Sequence, residues 1–162
     1  MIAFVWAQDV NGIIGKGGQL PWHLKDDLQY FKQRTLNQIV VMGRKTFVGM
    51  GSRPLPKRTN IVLTRDTDFG ADGALILHDR QAVLEYAAQH ADQNLMIIGG
   101  GQIFELFMND VDTLYVTRIA GSFTGDTTMP DVPWEQFTRT TADEVANADP
   151  ALNHTFETWE RN

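Results

Sequence analysis

Two adjacent acids, Asp26 and Asp27, stand in the stretch LPWHLKDDLQYF, which has the pattern of a loop running into a helix. At about 100° per residue, Leu24, Leu28 and Phe31 fall within about 60° of one another. Asp27 lies about 40° from Phe31, whereas Asp26 falls on the opposite side. Burying a carboxylate costs several kcal/mol unless it is paired or neutralised. Asp27 on the apolar face therefore calls for a partner, for a ligand or for a different local structure than a helix, and Asp26 is predicted to face water.

Three further stretches could receive phosphate groups. LMIIGGGQIFELF places the glycines 99–101 between a buried strand and a helix, and VVMGRKTFVGM places Gly43, a basic pair and Thr46 in the same setting. VLTRD ends a strand with Thr64 and Arg65. Each stretch alone is better explained by close strand packing or a surface charge, but together they indicate a polyphosphate cofactor across the strand ends. An ordinary Rossmann domain is disfavoured, because the full GxGxxG spacing is missing.

Arg58, in the stretch RPLPKRTN, is a further candidate. A guanidinium beside a proline-stiffened segment can bind a carboxylate through two parallel hydrogen bonds. It can equally be a solvated arginine in a turn. Sequence spacing leaves both interpretations open.

The segment DVNGIIGKGGQLPWHL, residues 9–24, is too long for an ordinary connection between a strand and a helix. Its apolar side chains, among them Ile13, Leu20 and Trp22, argue against disorder. Long loops at the carboxyl ends of parallel strands are usually functional. We therefore interpret residues 9–24 as a lid over a ligand, with an ornamental loop as the alternative.

The elements that must position these residues follow from hydrophobic periodicity. Continuous apolar runs predict strands covered on both faces, near the start and at 39–43, 60–64, 74–78, 95–100 and 113–121. Helices are predicted at 25–34, 44–50, 79–90 (with Asp79 as a cap) and 101–108. FTRTTADEVA and HTFETWER are predicted to add antiparallel strands at one edge. The expected architecture is one α/β domain over 1–162, with a mostly parallel central sheet and helices on both faces.

Composition narrows the function classes. With 14 basic against 20 acidic residues, the net charge of -6 provides no overall footprint for nucleic acid or an anionic membrane. The chain has no cysteine, which excludes disulfides and thiolate chemistry, and its four histidines show no metal-ligand spacing. The amino terminus has no signal-peptide pattern. A soluble, cytoplasmic protein without a metal is expected.

The motifs LPW, MGRKTF, RPLPKRTNIVLTR, IIGGGQIF, YVTRI and GDT follow one another in order, after a tryptophan and an alanine in the first strand. This ordered set closely resembles the dihydrofolate reductases of the bacterial, short-loop type, across essentially all 162 residues. The resemblance implies reduction of 7,8-dihydrofolate to 5,6,7,8-tetrahydrofolate by hydride transfer from NADPH, in support of one-carbon metabolism. It also implies antifolate binding, and a monomer is expected.

The resemblance implies a substrate site around the first helix. Asp27 corresponds to the family's sole ionisable group in the pterin pocket, hydrogen-bonded to the amidine edge and, through a water, to Thr117. Leu20 and Trp22 correspond to the lid, which Asp126 on another loop holds closed. The implied substrate-binding positions comprise backbone carbonyls, apolar walls and one arginine for the glutamate carboxylate: Trp6, Ala7, Ile98, Leu28, Phe31, Met50, Leu55 and Arg58.

The resemblance also implies a cofactor site for NADPH. Arg44 and Arg65 end neighbouring strands and are expected to bind the 2′-phosphate. Gly99 and Gly100 stand where the family has an unusual cis peptide bond. The implied cofactor-binding positions are Ala7, Ile14, Gly43, Arg44, Lys45, Thr46, Leu63, Thr64, Arg65, Gly99, Gly100, Gly101, Gln102 and Phe104.

Three positions depart from the commonest family pattern. Lys25 stands where many members have proline, and this change is expected to loosen the helix start. Gly49 and Met50 replace the usual serine and a branched or aromatic residue, which affects the shape of the pocket wall and so antifolate affinity more than activity. Two alternatives remain at this level: a pyrimidine-type reductase of the same fold, which lacks the acid on the first helix and the LPW lid, and a catalytically inactive nucleotide-binding module.

Overall fold

The computed structural model describes residues 1–162. Ten strands and four helices follow one another along the chain. The strands are β1 (Ile2–Gln8), β2 (Ile13–Gly15), β3 (Ile39–Gly43), β4 (Thr59–Leu63), β5 (Ala74–Leu77), β6 (Leu95–Gly99), β7 (Thr113–Ile119), β8 (Thr127–Thr128), β9 (Phe137–Val145) and β10 (His154–Arg161). The helices are α1 (Lys25–Thr35), α2 (Arg44–Gly49), α3 (Arg80–Gln89) and α4 (Gly101–Leu106), with short 3-10 turns at Trp134–Gln136 and Pro150–Leu152.

Eight strands form one sheet in the order β5-β4-β3-β6-β1-β7-β10-β9. The first six in this order run parallel, and β10 and β9 continue the sheet in antiparallel fashion. The predicted α/β class, the largely parallel sheet and the antiparallel carboxyl-terminal edge are therefore confirmed.

Apolar clusters cover both faces of the sheet. In β1, Phe4 and Trp6 point into the larger cluster, whereas Ala3 and Val5 point into a second cluster on the other face. A strand buried on both faces has no polar side, which explains why its sequence is continuously hydrophobic rather than alternating. None of the four helices has the length and hydrophobicity that a membrane-spanning helix requires.

The element boundaries differ from the predictions by a few residues. Asp79 caps α3 as predicted, accepting a hydrogen bond of 2.8 Å from the backbone N–H of Ala82. Leu24 stands at the N-cap of α1 and makes no capping hydrogen bond with its side chain. It directly precedes Lys25, the position where many family members have proline.

The predictions missed a second sheet, in which β2 within the lid pairs with β8. Strands of three and two residues are too short to show a period in the sequence.

Candidate active site

The connections that follow the central parallel strands border the space outside their carboxyl ends, which we call the cleft. Strand β6 lies between β3 and β1, and the chain leaves these three strands towards α4, α2 and α1 respectively, α1 being reached through the lid. Ligands of parallel α/β sheets bind outside the carboxyl ends of the strands, where neighbouring connections diverge. Most of the residues predicted to do chemistry follow these strands, whereas Arg58 directly precedes β4 and lies at the amino end of that strand.

Asp27 lies in the first turn of α1 and is only 8% exposed. The hydroxyl of Thr117, on β7, donates a 2.7 Å hydrogen bond to its Oδ1 atom. Burial raises the pKa of Asp27, and the hydrogen bond from Thr117 and the charge of His154 oppose that rise. The helical-wheel prediction that Asp27 points inward is confirmed. The resemblance implied a water between Asp27 and Thr117, and this expectation is wrong, because the two side chains are hydrogen-bonded directly.

Asp26 has a second contact that the sequence did not predict. Its side chain is 45% exposed, as a water-facing residue should be. Its Oδ2 atom nevertheless lies 2.5 Å from Nε2 of His154, a buried side chain 128 residues away. The other ring nitrogen of His154 lies 2.8 Å from the carbonyl oxygen of Leu152. The prediction that Asp26 simply faces water is therefore only half right.

The end of the lid packs into the protein through Trp22. This side chain is buried with Ala7, Leu24 and Ile119, and the ring of Phe123 meets it edge-on at 5.3 Å between centroids. Its indole N–H is the one buried side-chain polar group without a hydrogen-bond partner in the protein. A buried donor left over in this way fits a polar ligand. Leu20, by contrast, is 44% exposed at the lid surface.

The middle of the lid is held by Asp126. Its carboxylate accepts a 2.8 Å hydrogen bond from the backbone N–H of Gly17, and its own N–H donates to the carbonyl oxygen of Gly15 at 3.0 Å. The bond from Gly17 is the main cause that lowers the pKa of Asp126. The implied contact between Asp126 and the lid is thus present.

Arg58 lies near the far end of α1. Its Nε atom donates to the hydroxyl of Thr35 at 2.9 Å and one Nη atom to the carbonyl of Pro56 at 3.1 Å. No acid of the chain pairs with it, and partial burial lowers its pKa. From Asp27 to Thr35 the helix rises about 12 Å. The site thus offers an acid at one end and an unpaired guanidinium at the other, which favours the carboxylate interpretation of Arg58.

Apolar side chains flank the groove between these two charges. Leu28 is 46% exposed on α1, and the other candidates are partly buried against the second core cluster. Those candidates are Phe31, Met50, Leu55 and Ile98.

The opposite wall of the cleft is made of backbone at two glycine corners. Gly43 precedes α2 and Gly100 precedes α4, and neither helix has a side-chain cap. A β-carbon on Gly43 would lie 3.1 Å from Ile103, and one on Gly100 would lie 3.7 Å from the hydroxyl of Thr46. The two corners therefore adjoin and leave their backbone N–H groups available, which fits a diphosphate. The Gly99–Gly100 peptide bond is cis, as the resemblance implies.

The remaining cofactor candidates fall into an exposed and a buried group. Arg44 is exposed, lies over the ring of Phe69 and pairs with Asp66 at 3.0 Å. The others that present polar groups near the strand ends are Lys45, Thr64, Arg65, Gly101 and Gln102. Ile14 packs against the larger core cluster from the lid, whereas Leu63 and Phe104 are buried within that cluster. No group of three or more His, Asp or Glu side chains is arranged to hold a metal ion.

Sequence reasoning missed two residues of interest. Asp66, two positions after Thr64, pairs with the arginine expected to bind phosphate. Asp9, directly after β1, is fully buried at the first residue of the lid. An acid that follows a buried strand is the signal that would have found Asp9. The partner of Asp9 on a distant loop has no such signal.

A mostly parallel sheet with adjoining glycine corners and a buried carboxylate near the strand ends is typical of a nucleotide-binding α/β enzyme. The family model described as dihydrofolate reductase matches residues 1–161, and the chain belongs to the dihydrofolate reductase family. This result confirms the resemblance found in the sequence.

Curated relatives and a solved structure agree. The chain is 36% identical to a dihydrofolate reductase of Enterococcus faecium, covering 99% of this chain and 97% of the relative. It is 44% identical to the dihydrofolate reductase of Lactococcus lactis subsp. lactis, covering 80% of this chain and 78% of the relative. A solved dihydrofolate reductase from Enterococcus faecalis, complexed with NADP(H) and RAB-propyl, superposes with a TM-score of 0.92 at 42% identity, covering 100% of this chain and 96% of that one.

Proposed function

We propose that the protein reduces 7,8-dihydrofolate to 5,6,7,8-tetrahydrofolate with NADPH, and so supplies one-carbon metabolism. The observation that carries this proposal is the carboxylate of Asp27, which is 8% exposed and accepts a hydrogen bond from Thr117. A pterin presents an amidine edge with two N–H donors, and a carboxylate accepts both. Membership of the dihydrofolate reductase family supports the same activity.

Asp27 acts on the substrate electrostatically. As an anion in an apolar pocket it binds the amidine edge and favours the protonated imine of the pterin. A carboxylate that binds this edge is far from the ring nitrogen that gains the proton. A water admitted by the lid therefore supplies that proton. Backbone carbonyls near Trp6, Ala7 and Ile98 orient the pterin amino group.

The chain orients the two reactants and excludes water. NADPH supplies the hydride. The glycine corners bind its diphosphate through backbone N–H groups, and Arg44 and Arg65 bind its 2′-phosphate. Leu20 and Trp22 in the lid cover the reacting atoms. Closure of the lid removes water from the site and thereby strengthens the electrostatic interactions inside it. Arg58 binds the glutamate carboxylate of the substrate at the other end of the groove.

We further propose that residues 1–162 form one dihydrofolate reductase-like domain, which works as a cytoplasmic monomer without a nucleic-acid or membrane partner. The net charge of -6 supports the absence of a nucleic-acid surface. Antifolates are expected to bind in the same groove, with an affinity set partly by Met50.

A mixed-substrate absorbance assay tests the activity. The purified protein is mixed with NADPH and dihydrofolate, and the NADPH absorbance is followed. Loss of that absorbance only when both compounds are present is the expected result. Binding of NADPH without its consumption would overturn the proposal and indicate an inactive nucleotide-binding module instead.

A further inference from the structure

Asp9 is a buried acid with no basic partner in the protein. It is 2% exposed and follows β1 directly. Its Oδ1 atom accepts hydrogen bonds from the backbone N–H groups of Asn11 at 2.9 Å and Ile13 at 2.8 Å. Its Oδ2 atom accepts a 2.8 Å bond from the backbone N–H of Phe123. Backbone donors alone therefore compensate this buried carboxylate, a costly arrangement unless all of them stay in place.

The donors belong to two separate segments of the chain. Asn11 and Ile13 begin the lid, whereas Phe123 lies in residues 120–126, which we call the β7–β8 loop. Two further hydrogen bonds join the lid to the β7–β8 loop. The side-chain amide of Asn11 donates to the hydroxyl of Ser122 at 2.9 Å, and the N–H of Val10 donates to the carbonyl of Gly121 at 3.2 Å. The carboxylate of Asp9 is the buried centre of this junction.

Phe123 connects the junction to the other end of the lid. Its backbone N–H binds Asp9, and its ring meets Trp22 edge-on at 5.3 Å. The first residue of the lid and the tryptophan near its last residue are thus attached to one residue of the β7–β8 loop. By comparison, the bond between Gly17 and Asp126 holds only the middle of the lid and is exposed to solvent.

We propose that Asp9 is a positioning residue that fixes the base of the lid during the reaction. Both ends of the lid stay attached through Asp9 and Phe123, so opening is confined to the middle of the segment, and Trp22 keeps its place beside the substrate site. This inference rests on the proposed function for its kinetic consequence. Its structural consequence holds in the ligand-free protein.

The decisive variant is Asp9→Asn. An asparagine has one acceptor oxygen and one NH₂ group, so one of the two sets of backbone donors would face another donor. The matched control is Val83→Ala, which removes buried methyl groups from α3 in the core, away from the lid. A second variant, Phe123→Leu, keeps the backbone N–H for Asp9 but removes the ring that meets Trp22.

Two measurements separate positioning from plain stability. In hydrogen–deuterium exchange of the ligand-free protein, Asp9→Asn should speed exchange of residues 10–24 and 120–126 by about tenfold, while Val83→Ala leaves these segments unchanged. In steady-state kinetics, Asp9→Asn should lower kcat by about tenfold to a hundredfold, with the KM for dihydrofolate within about threefold of the wild type. Phe123→Leu should speed exchange near Trp22 but not at Asn11 and Ile13.

The inference is overturned if Asp9→Asn matches Val83→Ala in both measurements, with a lower melting temperature and an unchanged kcat. If Asp9→Asn does not fold, Phe123→Leu decides, and unchanged kcat and exchange near Trp22 would overturn the inference. A wild-type protein that does not oxidise NADPH with dihydrofolate contradicts the proposed function instead, and the exchange measurement still tests Asp9.

Discussion

The two walls of the cleft are built from different parts of the chain. The wall of α1 and β7 presents side chains, with Asp27 held by Thr117 and Arg58 held by Thr35. The wall of α2 and α4 presents backbone at Gly43 and Gly100, with no side-chain cap. The first wall suits a ligand with a fixed pattern of charges, and the second suits a diphosphate that needs several N–H donors. A single substitution in the first wall should therefore remove one particular ligand contact. A single substitution in the second wall should instead act through steric clash.

The largest effect is expected at the side-chain wall, for Asp27→Asn. Removing the anion should lower kcat by about a hundredfold or more at pH 7, because nothing then favours the protonated imine. The deficit should shrink as the pH falls and solution protonates the substrate beforehand. Rates of both proteins from pH 5 to pH 8 provide the measurement, and a fully active variant at pH 7 would remove Asp27 from the mechanism.

The same variant should also change stability in a definite direction. Burial raises the pKa of Asp27, so its carboxylate binds a proton more tightly in the folded protein than in the unfolded chain. The contribution to stability is present below the ordinary aspartate pKa of about 4 and is lost as the pH rises through the higher folded value. Asp27→Asn should thus melt at a higher temperature than wild type at pH 7, and this gain should vanish in acid. Asp26→Asn should instead lower the melting temperature, because it weakens the contact with His154.

A second prediction concerns the phosphate-binding arginines beside the backbone wall. The double variant Arg44→Ala and Arg65→Ala should weaken NADP⁺ binding by about tenfold to a hundredfold and NAD⁺ binding little, because only NADP⁺ carries the 2′-phosphate. Calorimetric titration of both nucleotides measures the difference. Asp66→Asn should act in the opposite direction and tighten NADP⁺, because Asp66 pairs with Arg44 in the structure. Equal losses for both nucleotides would show that the arginines do not read the phosphate.

The third prediction returns to the side-chain wall. Arg58→Ala should weaken folates that bear the glutamate tail by about tenfold, and should barely affect diaminopyrimidines without a carboxylate. Arg53→Ala, at an exposed arginine five positions earlier in the chain, is the matched control for lost charge. Inhibition constants for tailed and tailless ligands test this selectivity. A loss common to both ligand classes would make Arg58 structural, through its bond to Thr35.

The smallest effect is expected where the lid meets α2. A β-carbon on Gly49 would lie 2.1 Å from the carbonyl oxygen of Gly18, a contact that no side chain tolerates. Gly49→Ser should therefore displace the lid and change kcat and KM a few-fold. Gly70→Ser, where a β-carbon meets nothing within 4 Å, should be silent. A silent Gly49→Ser would show that the lid does not need this close approach.

The sequence predicts the elements that show a hydrophobic period, but it does not predict contacts between residues that lie far apart in the chain. The buried strands and the inward turn of Asp27 follow from side-chain spacing along single elements, and both are present in the structure. The contact of Asp26 with His154 spans 128 residues and depends on how β10 pairs with β7. The junction at Asp9 likewise needs Phe123 from another loop. Neither contact leaves a local pattern, because tertiary packing alone brings the partners together.

The position of β1 in the middle of the sheet has a consequence for how the chain matures on the ribosome. Ile2 pairs with Leu95 and Ala3 pairs with Thr113, so the first strand to be synthesised must wait for two of the later ones. Pairings of such long sequence separation fold slowly and expose apolar edges meanwhile. A nascent chain stalled before β7 would hold β1 without its partner on that side. Such a chain would also lack Thr117, and with it the hydrogen bond that Asp27 accepts in the complete fold.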